Sequence, residues 1–399
     1  MTDRRILGYL VPQFPGQTHI FFWREIAELE KRGVTVDLLS TRHPPAGLVA
    51  HDWSVGAMNR TTYLGKPDVL AGLSALPRLP YADLLAEARA EGKAMVKDIA
   101  VSIPAAARLI RHCRSHGITH VHVHSCGRAA LIAAIARRMG GPRYSLSLHG
   151  PLSDYGPGQR FKWRYAEFAS IITEKLKAEM LAEMPDDLPD RLYIQPMGVD
   201  TDVLTPAGPY RPVGAGEPLR LFSCGRLNIV KGHQDLMAAV RLLLDQGRDV
   251  QLTIAGQDDD GGSGYRKVLD ARIAELGLGD HVRLLGAVDA GRVRDEIRVA
   301  HLFVLASWHE PLGVALMEAM SCGTPTIGTN AGGVPELIRD GVDAVLVPPK
   351  SPKALAEAIA SLADDPDRCA TLSAAGRQRI VAGFHSGRGA EMLIKGVWG

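Results

Sequence analysis

Hydrophobic positions along this chain switch between two periods, and the switches outline its elements. RILGYLVPQ (5–13) is a short apolar run that predicts a strand. The loop FPGQT follows, then HIFFWREIAELEKRG (19–33), whose apolar residues recur at helical spacing up to Gly33. VTVDLLS is the next strand. Strand, glycine-bearing loop, helix and strand in that order predict a βαβ start and a parallel sheet. Residues 50–117 carry long helical patterns, including LPYADLLAEARAEGKAMVKDIA and PAAARLIRHCRSHG, and predict a helical insertion. THVHVHS, RYSLSLHG and SIITE then read as strands, separated by the helix RAALIAAIARRMGG and followed by KLKAEMLAEM. After TPAGPYRPVGAGE (205–217), rich in Pro and Gly and so a domain boundary, the alternation becomes regular. LRLFSCG, VQLTIAG, VRLLGAV, LFVLAS, PTIGT and AVLVPP predict six strands with a helix after each. The tail AAGRQRIVAGFHSGRGAEMLIKGVWG reads as helix.

Composition narrows the class. The 399 residues are enough for two or three domains. A 46% hydrophobic and 23% charged make-up is that of a globular chain, and the net charge of +2 gives no reason to expect nucleic acid. No apolar run approaches the ~20 residues of a membrane helix. The amino-terminal apolar stretch is too short for a secretory signal, so a cytoplasmic location is expected. Five widely spaced cysteines with no Cys-x-x-Cys pair predict reduced thiols and no zinc site.

Chemistry concentrates in SWHEPLGVALMEAMSCGTPTIGTNAGGVPE (307–336). Glu310 follows an apolar strand and precedes a Pro-Leu-Gly turn, which places it at a strand's carboxyl end, where open α/β sheets bind ligands. Glu318 lies in the apolar helical segment VALMEAM with no Lys or Arg within four residues. It is either on the helix's wet side or hydrogen-bonded to something polar such as ligand hydroxyls. The helix start at Gly313 and Val314 offers backbone N–H groups suited to a phosphate. In SCGRLNIVKGHQDL, Arg226 and Lys231 sit between a strand and a helix and could clamp a diphosphate; each alone could be a solvated loop cation. Gly16 either lets backbone approach a phosphate or makes a plain turn. Asp258-Asp259-Asp260 reads as a polar loop before a helix, not a metal site. His122 and His124 alternate with Val121 and Val123 and share a sheet face. Arg108, Arg111 and Arg114 share a helix face; that face, or QRFKWRY (159–165), is solvated or meets an anionic membrane surface or a diphosphate-lipid acceptor.

Three blocks, Ser-x-x-Glu-Pro-Leu-Gly, Leu-Met-Glu-Ala-Met-x-x-Gly-Thr-Pro and Gly-Gly-x-x-Glu, closely resemble the donor-site signature of family-4 retaining glycosyltransferases of the GT-B fold. Gly-Arg-Leu-x-x-x-Lys-Gly resembles the same family's pyrophosphate site. FPGQTHIFFWREIAELEKRG resembles its exopolysaccharide and colanic-acid-type members, which carry Ser-Glu-Thr-Phe where this chain has Gly-Gln-Thr-His. The resemblance implies an α/β chain of two Rossmann-like doubly wound domains facing a cleft. An acceptor-binding domain would span 1–204, with the insertion at about 50–117. A nucleotide-sugar domain would span 205–382, and a helix at 383–399 would cross back. The resemblance implies transfer of a sugar with retention from a nucleotide-sugar, UDP being the expected nucleotide, to a saccharide or lipid-linked saccharide. No metal or other cofactor is expected, because Arg226 and Lys231 would neutralise the leaving diphosphate. Glu310 would act as nucleophile or stabilise the cationic ring, and Glu318 would hold the ribose. His149, at a strand end before Gly150, would lie near the donor sugar. Gly256, Ala287 and Val288 would hold the base, and Asp154, Tyr155 and Arg160 are acceptor-side candidates. Two other readings stay open: a nucleotide-sugar epimerase of the same fold, and a bilobed binding protein without chemistry.

Overall fold

The computed structural model describes residues 5–16, 19–44, 51–65, 68–258 and 264–399. It divides into two compact units. One is formed by Met1–Val49, Trp53–Pro196 and Gly387–Gly399, the other by Ala50–Asp52 and Met197–Ser386.

The first unit opens with β1 (Ile6–Gln13), α1 (Ile20–Lys31) and β2 (Thr35–Arg42). It continues with α2 (Ser54–Arg60), β3 (Thr61–Tyr63), α3 (Val69–Ala75), a 3₁₀ turn (Leu76–Arg78), α4 (Tyr81–Glu91) and α5 (Lys93–His116). Then come β4 (His120–His124), α6 (Arg128–Arg138), β5 (Arg143–Leu148), α7 (Gln159–Arg164), β6 (Ala169–Ile171), α8 (Glu174–Glu183) and β7 (Leu192–Ile194). Among the described residues these strands form one seven-stranded sheet in the order β3-β2-β1-β4-β5-β6-β7. Every pairing is parallel. Residues 50–117 are therefore not a helical insertion throughout. Thr61–Tyr63 pairs with Leu38–Ser40 as the edge strand. Three residues are too few to show a period of two, so the flanking helical patterns hid it. Helix α5 buries Ala105, Ala106, Leu109, Ile110 and Cys113 and is the crossover leading into β4.

The second unit runs β8 (Leu219–Cys224), α9 (His233–Asp245), β9 (Val250–Ala255), α10 (Tyr265–Glu275), β10 (Val282–Gly286), α11 (Ala290–Val299) and β11 (Leu302–Val304). After these come α12 (Val314–Ser321), β12 (Thr326–Thr329), α13 (Val334–Leu337), β13 (Val345–Val347), α14 (Pro352–Ala363) and α15 (Pro366–Gly383). Its parallel sheet has the order β10-β9-β8-β11-β12-β13. Leu221, Leu252, Ile254, Leu302, Val304 and Ile327 from the strands meet Leu236, Val240, Leu243 and Ile359 from the helices in one core. This burial on both faces is why the strands read as continuous apolar runs.

The boundaries shift from those expected at 204/205 and 382/383. Val199 bridges His385 in parallel, and Val199 N–H donates to Phe384 O at 2.9 Å, so Met197–Leu204 and Phe384–Ser386 both belong to the second unit. The same bridge breaks the helical tail into α15 and α16 (Gly387–Trp398). Helix α16 returns to the first unit, where Ala390 and Leu393 pack with Phe22, Ile26 and Leu29 of α1. All five cysteines are free. Among the described residues no helix is long and apolar enough to cross a membrane.

Candidate active site

In the second unit, β9 and β10 lie on one side of β8 and β11 lies on the other. The loops leaving β8 and β11 therefore run to opposite sides and open a crevice at the strands' carboxyl ends. Arg226 and Lys231 are on the first loop, and Glu310 is on the second. Asn228 accepts the Lys231 N–H at 3.2 Å and starts a 3₁₀ turn (Ile229–Lys231). Gly232 ends that turn with φ of +66°, and a Cβ there would lie 1.9 Å from Ala306 O. Only glycine lets the two loops touch this closely. Trp308 N–H donates to Val230 O at 2.7 Å, and its indole N–H donates to Asp235 at 2.5 Å.

These bonds bring Lys231 Nζ to 2.5 Å from Glu310 Oε2, across 79 residues of sequence. Glu310 is 8% exposed and also accepts from Ser307 Oγ at 3.1 Å. Gly332 and Gly333, the glycines of the Gly-Gly-x-x-Glu block, brace this loop from the far side. Gly333 N–H donates to Glu310 O at 2.9 Å, and a Cβ on Gly332 would sit 2.1 Å from that oxygen. Glu318 is buried on α12, not on a wet face. Cys224, at the end of β8, registers the local field. Burial pushes its thiol up, the Glu318 and Glu310 carboxylates add to that, and Lys231 opposes them. Helix α12 starts after Gly313, φ +103°, with no side-chain cap, so its first-turn amides, Val314 to Leu316, point at the crevice ahead of the first helical bond, Met317 N–H to Gly313 O at 3.1 Å. Gly256 lies over the β8 loop, its own N–H donating to Gly286 O at 2.9 Å. A Cβ on Gly256 would be 1.8 Å from Gly225 O. Ala287 and Val288 follow β10 and are half-buried. The structure thus gathers Arg226, Lys231, Gly256, Ala287, Val288, Glu310, Gly313, Val314 and Glu318 along one sheet edge. Asp258 is buried and accepts from the Gly264 and Arg266 amides at 3.1 and 2.8 Å, capping α10. Asp259 and Asp260 lie outside the described residues.

In the first unit, His149 follows β5 and is half-buried. Its Nε2 is 3.1 Å from His124 Nδ1, the rings stack at 5.4 Å, and Phe21 and Phe22 pack on it. Burial first, then the neighbouring His124, lowers the His149 pKa to about 3, so the ring is neutral. Among the described residues its buried Nδ1 has no hydrogen-bond partner, and a ligand hydroxyl would satisfy it. Behind it, His124 Nε2 is 3.2 Å from Glu25, which accepts from Tyr9 OH at 2.7 Å. Sequence reading missed Glu25 and Tyr9; a carboxylate among the apolar residues of α1 was the available signal. The ligand atoms of Glu25, His122 and His124 lie within 4.8 Å of one another, yet both His122 nitrogens are taken by Ser145 and Ser147 at 2.7 and 2.8 Å.

Gly16 makes a turn, its carbonyl accepting from His19 N–H at 3.0 Å. Asp154 and Tyr155 fold over Gly150, where an added Cβ would meet Asp154 Oδ2 and Tyr155 OH at 3.6 Å. Arg160 is largely exposed and lies 3.8 Å from Asp187, which Arg164 also holds at 2.6 Å. Lys162 is fully buried, its Nζ donating to Tyr155 O at 3.1 Å, so QRFKWRY presents no continuous basic surface.

Comparison with known proteins fits this geometry. Residues 212–379 match the family model of the glycosyl transferases group 1. The sequence is 32% identical over 224 residues to a D-inositol 3-phosphate glycosyltransferase of Thermobispora bispora, covering 54% of this chain and 51% of the relative. It is 30% identical over 251 residues to an alpha-maltose-1-phosphate synthase of Mycolicibacterium smegmatis, covering 58% and 62%. The chain thus spans between about half and three-fifths of the length of these relatives. The crystal structure of Anabaena HepE in complex with UDP superimposes with a TM-score of 0.74 over 98% of both chains at 17% identity. The fold is that of the GT-B glycosyltransferases, with two Rossmann-like parallel-sheet domains. The group 1 match covers the unit that holds Arg226, Lys231, Glu310 and Glu318.

Proposed function

We propose that this protein is a retaining glycosyltransferase that moves a sugar from a UDP-sugar to a hydroxyl of a saccharide or lipid-linked saccharide in polysaccharide assembly. The observation that carries the reading is the buried Lys231–Glu310 pair at the β8/β11 switch point, beside the uncapped start of α12. In this reading the diphosphate lies against Arg226, Lys231 and the Val314 amide, with Gly313 allowing close approach. Glu318 accepts from the ribose hydroxyls. Gly256, Ala287 and Val288 border the base. His149 offers Nδ1 to a sugar hydroxyl, and Asp154, Tyr155 and Arg160 border the acceptor.

The bond from the anomeric carbon to the diphosphate oxygen breaks, and the acceptor oxygen bonds to that carbon on the same face. The acceptor's proton passes to the leaving phosphate. Charge grows on the diphosphate as the bond stretches, so fixed cations there favour the transition state over the ground state. Lys231 and Ser307 engage the Glu310 carboxylate, which weakens it as a nucleophile. Glu310 therefore acts by stabilising the cationic ring, unlike the nucleophile of retaining hydrolases. Arg226 and Lys231 supply the charge, so the reaction requires no metal.

Thermal stabilisation by UDP, GDP, ADP and dTDP tests the reading, on wild type and Glu318→Ala, with and without EDTA. A nucleotide at about 100 times its dissociation constant adds roughly 2.7 kcal/mol. UDP stabilises the wild type, EDTA leaves the effect unchanged, and Glu318→Ala reduces it. Absence of stabilisation by every nucleotide overturns the reading. Isomerisation of a UDP-sugar without acceptor would assign the site to an epimerase instead.

A further inference from the structure

Helix α3 is built the wrong way round for a surface that faces water, and α4 beside it adds an exposed tyrosine and leucine. Helix α3, VLAGLSA, turns Ala71 and Ala75 inward, 1% exposed each, while Leu70 is 78% and Leu73 57% exposed. Inward, Gly72 faces Pro104 of α5. A helix that packs on a core by its small residues and gives its leucines to solvent reverses the usual amphipathic order. The 3₁₀ turn continues the strip with exposed Leu76, and Tyr81 OH donates to Leu76 O at 2.7 Å, joining α4 to it. On α4, Tyr81 and Leu85 are i,i+4 neighbours, each 53% exposed, while Leu84 alone is buried. Among the described residues, seven of the 17 exposed large apolar side chains fall between Leu70 and Val101.

The exposed charges on this strip are mainly positive, with Glu91 at the end of α4 as the exposed acid. Arg78 and Arg89 are exposed, whereas Asp83 and Glu87 are half-buried and Asp83 is taken by Arg138 at 2.8 Å. Exposed Lys93 and Lys97 follow on α5. The other basic faces are committed: Arg111 pairs with Asp68 at 3.1 Å, and Arg108 is half-buried. Exposed leucines and a tyrosine flanked by an excess of exposed cations, Arg78, Arg89, Lys93 and Lys97 against Glu91, match an anionic lipid interface, which takes up apolar side chains at the acyl boundary and holds cations at the headgroups.

From the reversed packing of α3 and the exposed apolar pair on α4 we infer that Leu70, Leu73, Leu76, Tyr81 and Leu85, with Arg78 and Arg89, dock the first unit on an anionic phospholipid bilayer. The proposal is independent of the transferase reading.

The test is co-sedimentation with phosphatidylcholine vesicles and with vesicles containing phosphatidylglycerol. It uses wild type, Leu70→Ser with Leu73→Ser, and Arg78→Glu with Arg89→Glu. Wild type binds the phosphatidylglycerol vesicles, more weakly as salt rises. Each double variant loses roughly tenfold or more in binding. Both keep the wild-type melting temperature and UDP stabilisation, because every changed side chain is exposed. Failure of vesicle binding with UDP stabilisation intact sinks this inference alone. Binding that does not distinguish the two lipids, or that neither variant weakens, overturns it as well. A solution dimer of the wild type that Leu70→Ser with Leu73→Ser dissolves would assign the face to a second copy of the chain.

Discussion

Replacing Lys231 by Met separates the two roles the structure gives this lysine. The side chains of Lys231 and Glu310 are 18% and 11% exposed, so the pair is largely desolvated. Removing one partner of a buried pair costs about 3–5 kcal/mol, because the other charge is left uncompensated. Here the Ser307 hydroxyl still donates to Glu310, and the pair keeps some solvent. Both reduce the loss, to about 2–3 kcal/mol. In a unit of this size each kcal/mol moves the melting temperature by roughly 2–4 °C, so Lys231→Met lowers it by roughly 4–12 °C. Adding Glu310→Gln removes the stranded charge and recovers about half of that. Turnover behaves differently. Both the single and the double variant lose about a hundredfold or more, since neither restores a cation at the diphosphate. Differential scanning fluorimetry reads the first effect and nucleotide release from a UDP-sugar the second. The reasoning is refuted if Lys231→Met melts with the wild type, or if Glu310→Gln deepens its instability.

Two further outcomes follow from the same geometry. Gly232→Ala puts a Cβ 1.9 Å from Ala306 O at a φ of +66°, which costs more than about 2 kcal/mol; urea unfolding monitored by tryptophan fluorescence shows the drop, and an unchanged midpoint would falsify the loop-contact argument. His120 and His124 are buried, and burial lowers each to a pKa of about 3. The unfolded chain takes up protons below about pH 6.5 that the native state refuses, so stability falls from about pH 6.5 towards pH 3, by up to roughly 1.4 kcal/mol per pH unit for each histidine. Melting temperatures measured across that range should decline steadily, and His120→Gln should flatten the decline; a flat wild-type profile would contradict the burial assigned to these rings.

The order of elements was legible in the residues because it depends on local periodicity. Strands buried on both faces give apolar runs such as LFVLAS, and helices such as HQDLMAAVRLLLDQG give a period near 3.6, so the doubly wound architecture follows without long-range information. Glu310 and Lys231 could be placed at strand ends for the same reason. Edge strand β3 could not be read, because three residues carry no period, and neither could the break between α15 and α16, which a long-range bridge to Val199 imposes. The strand order, with β8 beside both β9 and β11, was likewise invisible to local pattern. That adjacency brings Lys231 to Glu310, as the pairing of β11 with β12 sets Gly332 under the Glu310 loop and that of β4 with β5 stacks His149 on His124. The sequence by itself determined which residues could carry charge, turn or core. Their pairing was decided by tertiary structure, because parallel strands distant in sequence become neighbours only when the whole sheet forms and buries its two faces together.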